Sequence, residues 1–465
     1  IYLHGAERVL AGQRIYRDFF ALTGPGTFWL LAVWFKVFSD TFAAAHALLA
    51  LEVATIVACL YLIVGKFLGR LAGIAAASSF TALLMPLTHR LYINHRWDSA
   101  CCATIALSLL LLSPKSLAWT TPAGAFAGCA VIFTPPTALV ALAIAILLLF
   151  GRYSRPQALW FAAAACIPVT IAAIVLAAQG SLGPMLAIFS WAGGHYSQAN
   201  RVPYGFEPAL TGTVAHIQIS LLRRVAVHLP AMLPLIALAI YGWLRFRCHS
   251  IPFRTTILLV SGLALAASCY PRVAANNLLF ATPLLLCFLF LAAAPLAKPS
   301  ALRGTLWTIL AVSIVSVFRT VTGQPPTVPV GSQIGTVNAS PREARNIDFA
   351  TAVIDPGDSL FVYPYQPIWY ALTGALNPAR FDFLQPGMMT LKDEAVAVGE
   401  LTAHPPEWVI WHNLPPHTVL AIWPHSDPAT LHFHRIEQFI RSRYSQVRTP
   451  DPGFRYSIAI FHRIE

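Results

Sequence analysis

Ten apolar runs constrain this chain more than anything else in it. They lie near 42–65, 71–88, 97–112, 117–133, 136–150, 158–178, 225–243, 255–270, 278–296 and 303–320. As helices, each crosses or nearly crosses a hydrocarbon core of ~30 Å. In lipid a backbone N–H or C=O has no water to bond, so runs of this length predict helices, whose hydrogen bonds are all internal to the segment. An eleventh run near 26–38 is too short to span comfortably. It follows Gly24-Pro25-Gly26 and carries Lys36 among Trp and Phe, which predicts a helix lying along the membrane surface. Only 11% of the 465 residues are charged and 57% are hydrophobic, against ~25% charged in a soluble domain. An ordinary globular protein is excluded.

The net charge of +12 would suggest a polyanion partner if it were concentrated in one patch. It is not. Up to residue 340 there are 21 Lys/Arg and six acids, Glu7, Asp18, Asp40, Glu52, Asp98 and Glu207, whereas beyond it ten basic residues face thirteen acids. The basic residues of the first part sit mostly in short loops between apolar runs, so no nucleic acid is expected as a partner. With 1–41 outside, the inner loops hold Lys66, Arg70, Lys115, Arg152, Arg155, Arg245, Arg247, Arg254, Lys298 and Arg303 and no acid; the short outer loops hold Arg90, Arg96, Arg272 and Arg319. The positive-inside rule then orients the chain with its C-terminal part on the non-cytoplasmic side.

These features divide the chain into an outer segment 1–41 with interfacial helices, a transmembrane bundle 42–320 with a long outer loop at 179–224, a linker 321–340, and an extracytoplasmic α/β domain 341–465. In the last, helix-like stretches at 342–353, 391–403 and 432–444 alternate with β-rich runs at 360–364, 408–411 and 456–462. No phosphate-binding glycine loop or nucleophile elbow occurs there, so it is assigned no chemistry of its own. The fold class is an α-helical polytopic membrane protein with a small C-terminal soluble α/β domain. The eight cysteines lie in or beside apolar runs and read as small buried hydrophobes. Because the chain opens on Ile1 within a helix-like pattern, IYLHGAERVL, a first transmembrane helix is expected upstream.

Asp98 stands in HRLYINHRWDSA at the outer mouth of an apolar helix, close to His89, Arg90, His95 and Arg96. An ionisable residue there is a functional candidate, and the neighbouring cations suit an anionic substrate; the alternative is a carboxylate that only favours the helix N-terminus. Asp18, in Tyr16-Arg17-Asp18-Phe19-Phe20, is a second candidate base or metal ligand, or else a surface ion pair with Arg14 or Arg17. Glu52 lies ten residues into an apolar run and reads as a paired, structural acid. Glu207 reads as a solvated loop acid. Arg201, Arg272 and Arg223-Arg224 lie near outer helix ends, where a guanidinium can grip a lipid phosphate or simply snorkel.

The segments YLHGAERVLAGQRIYRDFF (2–20) and TGPGTFWLLAVWFKVFSD (23–40) resemble the first outer loop of GT-C glycosyltransferases of the protein mannosyltransferase-like and aminoarabinose-transferase-like kinds. The resemblance extends in order and topology over most of 1–320. It implies a GT-C helical bundle, and sugar transfer from a polyprenyl-phosphate donor to a lipid, glycan or protein acceptor at the outer face of a bacterial inner membrane, usually with inversion. It also implies an acidic base just after the first transmembrane helix, upstream of Ile1, with Asp18 near the second acidic position of the first loop and Asp98 near the acid that opens the fourth helix. Substrate binding then falls to His89, Arg90, His95, Arg96, Arg201 and Arg272. A divalent cation, Mg or Mn, held by Asp18 or Asp98, stays open as the only cofactor. The competing class is a transporter or lipid flippase, which would place its charges at mid-membrane between repeats; no internal repeat is found.

Overall fold

The computed structural model describes all residues except 86–90, 114–115, 152–154, 208–220, 248–250, 295–298, 324–325, 450–456 and 465. Each apolar run contains a helix among its described residues. Two short helices come first, α1 (Tyr2–Leu10) and α2 (Gly26–Val37); the long ones follow as α3 (Phe42–Leu68), α4 (Arg70–Leu84), α5 (His95–Leu112), α6 (Leu117–Phe133), α7 (Ala138–Phe150) and α8 (Arg155–Ala178). The described residues after α8 are not irregular: they hold α9 (Leu182–Trp191), a π-turn over 192–196 and a single turn α10 (Ser197–Ala199). The bundle closes with α11 (Leu221–Arg247), α12 (Phe253–Ala267), α13 (Ala275–Leu278), α14 (Thr282–Ala293) and α15 (Pro299–Thr322). Among the described residues five stretches, Phe42–Leu68, Arg155–Ala178, Val227–Arg247, Ala275–Ala293 and Ser300–Thr322, are long and apolar enough to cross a membrane by themselves, and Gly26–Val37, Arg70–Leu84, Leu117–Phe133, Pro135–Phe150 and Phe253–Ala267 are shorter apolar helices.

Local chemistry sets the turns. Thr41 caps α3 by accepting from the Ala44 N–H at 3.2 Å. A single residue, Gly69 at φ 89°, reverses the chain into α4, a backbone that glycine adopts without strain. Close helix approach is built by Gly124 and Gly128 on one face of α6: a Cβ at either would stand 2.3 Å from the Phe161 carbonyl or 2.1 Å from the Ala165 carbonyl of α8. Small residues four apart let two backbones meet where lipid offers no hydrophobic drive for association. Phe80, Trp97, Phe161 and Phe288 are buried in one cluster that runs through the bundle.

The two ends of the bundle differ. At one, the Lys66 ammonium caps the α5 C-terminus by donating to the carbonyl of Leu112, and the Arg254 guanidinium lies 4.5 Å from the Phe67 ring. The opposite end carries the α5 N-terminus, α1, α2 and the C-terminal residues. The stretch read as a linker contains a two-stranded ribbon, β1 (Val328–Val330) and β2 (Val337–Ala339). Beyond it come α16 (Pro341–Val353), β3 (Leu360–Tyr363), α17 (Ile368–Thr373), α18 (Leu391–Ala403), β4 (Trp408–His412), α19 (Pro416–Ile422), α20 (His434–Arg443), β5 (Tyr444–Arg448) and β6 (Ile458–Arg463). The sheet order is β3-β4-β6-β5, with β3 and β4 parallel and the rest antiparallel. A parallel pair needs a crossover, and α18 supplies it. Residue 444, read as helix, instead opens β5, where Tyr444 is buried and its hydroxyl donates to the Pro406 carbonyl at 2.8 Å. One sheet face, Leu360, Val362, Ile410 and Ile460, shares an apolar cluster with Leu31 and Phe35 of α2 and Leu3 and Ala6 of α1.

Candidate active site

Asn94 opens α5 by accepting from the Arg96 N–H at 3.1 Å, which leaves Asp98 one turn inside the helix. Trp97 anchors that turn, fully buried and edge-on to Phe280 at 4.8 Å. Asp98 is 5% exposed and Glu52 9%. The Thr27 hydroxyl at the start of α2 donates to Asp98, and Glu52 of α3 hydrogen-bonds the same carboxyl. Two carboxyls share such a bond only across one proton, so three helices meet at one carboxyl pair. Glu52, read from the sequence as a structural acid, is paired as that reading expects, but its partner is the candidate base Asp98 itself, so it belongs to the site.

The Tyr2 ring lies 5.5 Å from Phe28 and 6.1 Å from the His95 ring. Burial pushes its phenol above the ordinary range, and Tyr92 and Asp98 add to that while Arg96 opposes it. His95 turns away from this space to Thr134, Nδ1 to Oγ1 at 2.7 Å. Arg96 points toward Cys269, Nη1 to Sγ at 3.5 Å. Arg272 donates to Asn200 Oδ1 at 3.2 Å and to the Ile422 carbonyl at 2.9 Å, with its guanidinium 5.7 Å from the Trp423 ring centroid. Both arginines act on Tyr196, whose phenol burial pushes up and they pull back. Burial and the neighbouring Tyr92 and Tyr196 push Tyr365 up to about 12 against Arg272. Tyr365 stands edge-on to Phe383 at 5.9 Å and Trp423 at 6.4 Å, and the next residue, Gln366, holds φ 80°. The result is a buried carboxyl pair that shares the neighbourhood of Tyr2 with Arg96, and a Tyr196 phenol that lies in the field of both Arg96 and Arg272, groups that can supply a proton acceptor and a grip on phosphate.

The remaining sequence candidates lie elsewhere. Asp18 sits on an exposed turn, accepting from the Arg14 N–H at 2.7 Å with Arg17 Nε at 3.9 Å; this is the ion-pair alternative, and it is not assembled with Asp98. Arg201 is exposed. His89 and Arg90, and the side chains of Arg223 and Arg224, fall outside the described residues. Glu207 is buried at 4%, not solvated, because strand-like bonds Gly205 N–H to Val273 O (2.8 Å) and Ala275 N–H to Phe206 O (3.0 Å) press its loop onto the bundle. Among the described residues no three His, Cys, Asp or Glu side chains converge as a cation site. Sequence reading missed Thr27, Tyr2, Tyr196, Tyr365 and Trp423. Only the aromatic content of the loop around Tyr196 gave any signal; Tyr365 and Trp423 come from a domain that carried no motif.

An apolar helical bundle with its carboxylate at one helix mouth, a short helical segment and an α/β domain on the same end is the architecture of a GT-C membrane protein. The chain has the GT-C fold. No family model matches the sequence, and no curated protein does. Among solved structures, apo ArnT from Cupriavidus metallidurans is similar with a TM-score of 0.55 at 11% identity, covering 99% of this chain and 92% of that one. ArnT bound to undecaprenyl phosphate gives 0.54 at 12%, with the same coverage. The Archaeoglobus fulgidus oligosaccharyltransferase tethered with an acceptor peptide gives 0.52 at 12%, covering 100% of this chain and 70% of that one. At these identities the likeness is one of fold.

Proposed function

We propose that this chain is a membrane glycosyltransferase that moves a sugar from a polyprenyl-phosphate donor to an acceptor hydroxyl, with inversion, on the outer face of a bacterial inner membrane. The observation that carries it is Asp98, buried with Thr27 and Glu52 at the helix mouth that also carries Arg96, with Tyr2 in the field of both, in a GT-C fold. In the reaction, the acceptor oxygen attacks the anomeric carbon, the bond from that carbon to the phosphate oxygen breaks, and the electron pair leaves with the polyprenyl phosphate. Asp98 receives the acceptor's proton; Arg96 and Arg272 take the charge gathering on the leaving phosphate, which therefore needs no protonating acid. An apolar groove of about 730 Å³ between α3 and α4, lined by Leu49, Val53, Val57, Tyr61, Ile74 and Leu91, fits a prenyl chain. The two similar solved structures, one bound to undecaprenyl phosphate and one holding an acceptor peptide, support the donor and acceptor classes. On this reading 1–41, the loop at 179–224 and the domain 341–465 share the outer side.

The test is transfer by purified protein in vesicles supplied with polyprenyl-phosphate sugar, together with donor-lipid binding. Arg96→Ala and Arg272→Ala should each weaken donor binding by about 1.5–3 kcal/mol, the range for a hydrogen bond to a charged group. Lipid translocation without transfer, or wild-type donor affinity in both variants, would sink the proposal.

A further inference from the structure

The C-terminal domain reaches the outer helical segment through one buried carboxylate. Asp382 is 2% exposed; its Oδ1 accepts from Arg8 Nη1 at 2.5 Å and from Asn377 Nδ2 at 2.9 Å, with His4 Nε2 at 3.5 Å. Arg8 and His4 are one turn apart on α1 and themselves 7% and 4% exposed. Arg8 uses its other donors to tie the neighbouring backbone, giving to the Ala379 carbonyl at 3.3 Å, the Asp18 carbonyl at 3.2 Å and Gln13 Oε1 at 2.5 Å, and lies over the Phe19 ring at 4.9 Å. His4 stacks on Tyr370 of α17 at 4.4 Å. Burial alone would push the Asp382 carboxyl up; the His4 and Arg8 charges and the Asn377 bond hold it well below the usual carboxylate range. This is a buried anchorage, the kind in which removing one partner strands a buried charge. Two residues before His4, the same short helix carries Tyr2, which packs on His95 and lies in the field of Asp98 and Arg96. A nine-residue helix is a rigid rod about 13 Å long, so fixing one part fixes the other.

We propose that Asp382, contributed by the C-terminal domain, is a positioning residue for the transfer reaction: by gripping Arg8 and His4 it holds α1 so that Tyr2 closes over the Asp98 carboxyl. The domain that has no catalytic motif thereby sets the geometry of the site, acting through α1 and touching neither donor nor reacting atoms. The inference rests on the glycosyltransferase reading, and the experiment separates the two.

The experiment uses the full chain in vesicles. Transfer by wild type tests the reading itself; its absence defeats the reading and leaves nothing for Asp382 to position. Given transfer, Asp382→Asn should lower kcat roughly tenfold to a hundredfold, the scale of a ~1 Å misplacement, with donor-lipid Kd and donor KM within about twofold of wild type. Asp382→Glu, which keeps the charge, should recover part of the rate. Tyr2→Phe, which leaves the anchorage untouched, should lower kcat in the same way, and the double variant should be no slower than the worse single one because both changes act through the same phenol hydroxyl, one by misplacing it and the other by removing it. Glu400→Gln, which breaks the exposed Arg380–Glu400 pair inside the same domain, should leave kcat at the wild-type value. If Asp382→Asn does not fold, Arg8→Lys takes its place and is expected to give the same split. Wild-type kcat in folded Asp382→Asn or Arg8→Lys, a loss confined to donor affinity, or independent multiplication with Tyr2→Phe would overturn the proposal.

Discussion

Asp98→Asn should abolish transfer while leaving the protein folded, and the magnitudes follow from the two hydrogen bonds at this position. Asparagine has nearly the same volume. Its Oδ1 can still accept from the Thr27 hydroxyl, and its amide can donate to Glu52, so both partners seen at Asp98 stay satisfied. The cost to folding should be no more than about 1 kcal/mol. What is lost is the proton acceptor. Removing a positioned general base costs roughly 10²–10⁴-fold in rate, which is about 3–5 kcal/mol of transition-state stabilisation at ~1.36 kcal/mol per tenfold. Asp98→Ala makes the contrast: at a site 5% exposed it strands both the Thr27 hydroxyl and the Glu52 carboxyl, each costing ~1–3 kcal/mol of stability. The two variants should therefore share the rate loss, and only the alanine variant should melt earlier. Single-turnover transfer with saturating donor, alongside thermal unfolding of the purified protein, measures both quantities. Wild-type turnover in Asp98→Asn would reduce Asp98 to a helix-terminal carboxylate. Equal destabilisation by Asn and Ala would show that the hydrogen-bond accounting is wrong.

Two further predictions concern topology and packing. In a background lacking the native cysteines, single cysteines at the exposed positions Gln198 and Asp355 should react with an impermeant maleimide in intact cells and one at Arg247 should not; labelling of Arg247→Cys alone would invert the orientation drawn from the basic inner loops. Gly128→Leu should destabilise the bundle by about 1–3 kcal/mol or more, the cost of overpacking, because its Cβ would stand 2.1 Å from the Ala165 carbonyl. Gly304→Leu in α15, whose Cβ meets nothing within 4 Å, should be close to neutral in the same melting experiment, and an equal loss at both positions would remove the close-approach argument for α6 and α8.

The helices were legible in the sequence because in lipid a segment must satisfy its own backbone, and an apolar run of sufficient length then has one solution. That logic is local, so it located α3 to α8, α11, α12, α14 and α15 from composition alone, and the β-branched and aromatic runs around 360, 408 and 458 located β3, β4 and β6 by an equally local preference. Asp98 was legible too, because a charge at the mouth of an apolar helix is conspicuous on a linear string. Its partners were not: Glu52 reaches it from α3 and Thr27 from α2, and no spacing rule links positions 46 and 71 residues away. Nor does any local rule join Arg8 to Asp382, 374 residues on, or Arg272 to the Ile422 carbonyl, 150 residues on. Those pairings exist because an apolar sheet face seats the C-terminal domain on α1 and α2, and the seating brings side chains together that have no local reason to meet. The sequence by itself determined which segments are helices and where charge is tolerated; only the packing of helix against helix and domain against bundle decided which charges face one another, because hydrogen bonds within an element depend on neighbours in the chain and those between elements depend on complementary surfaces.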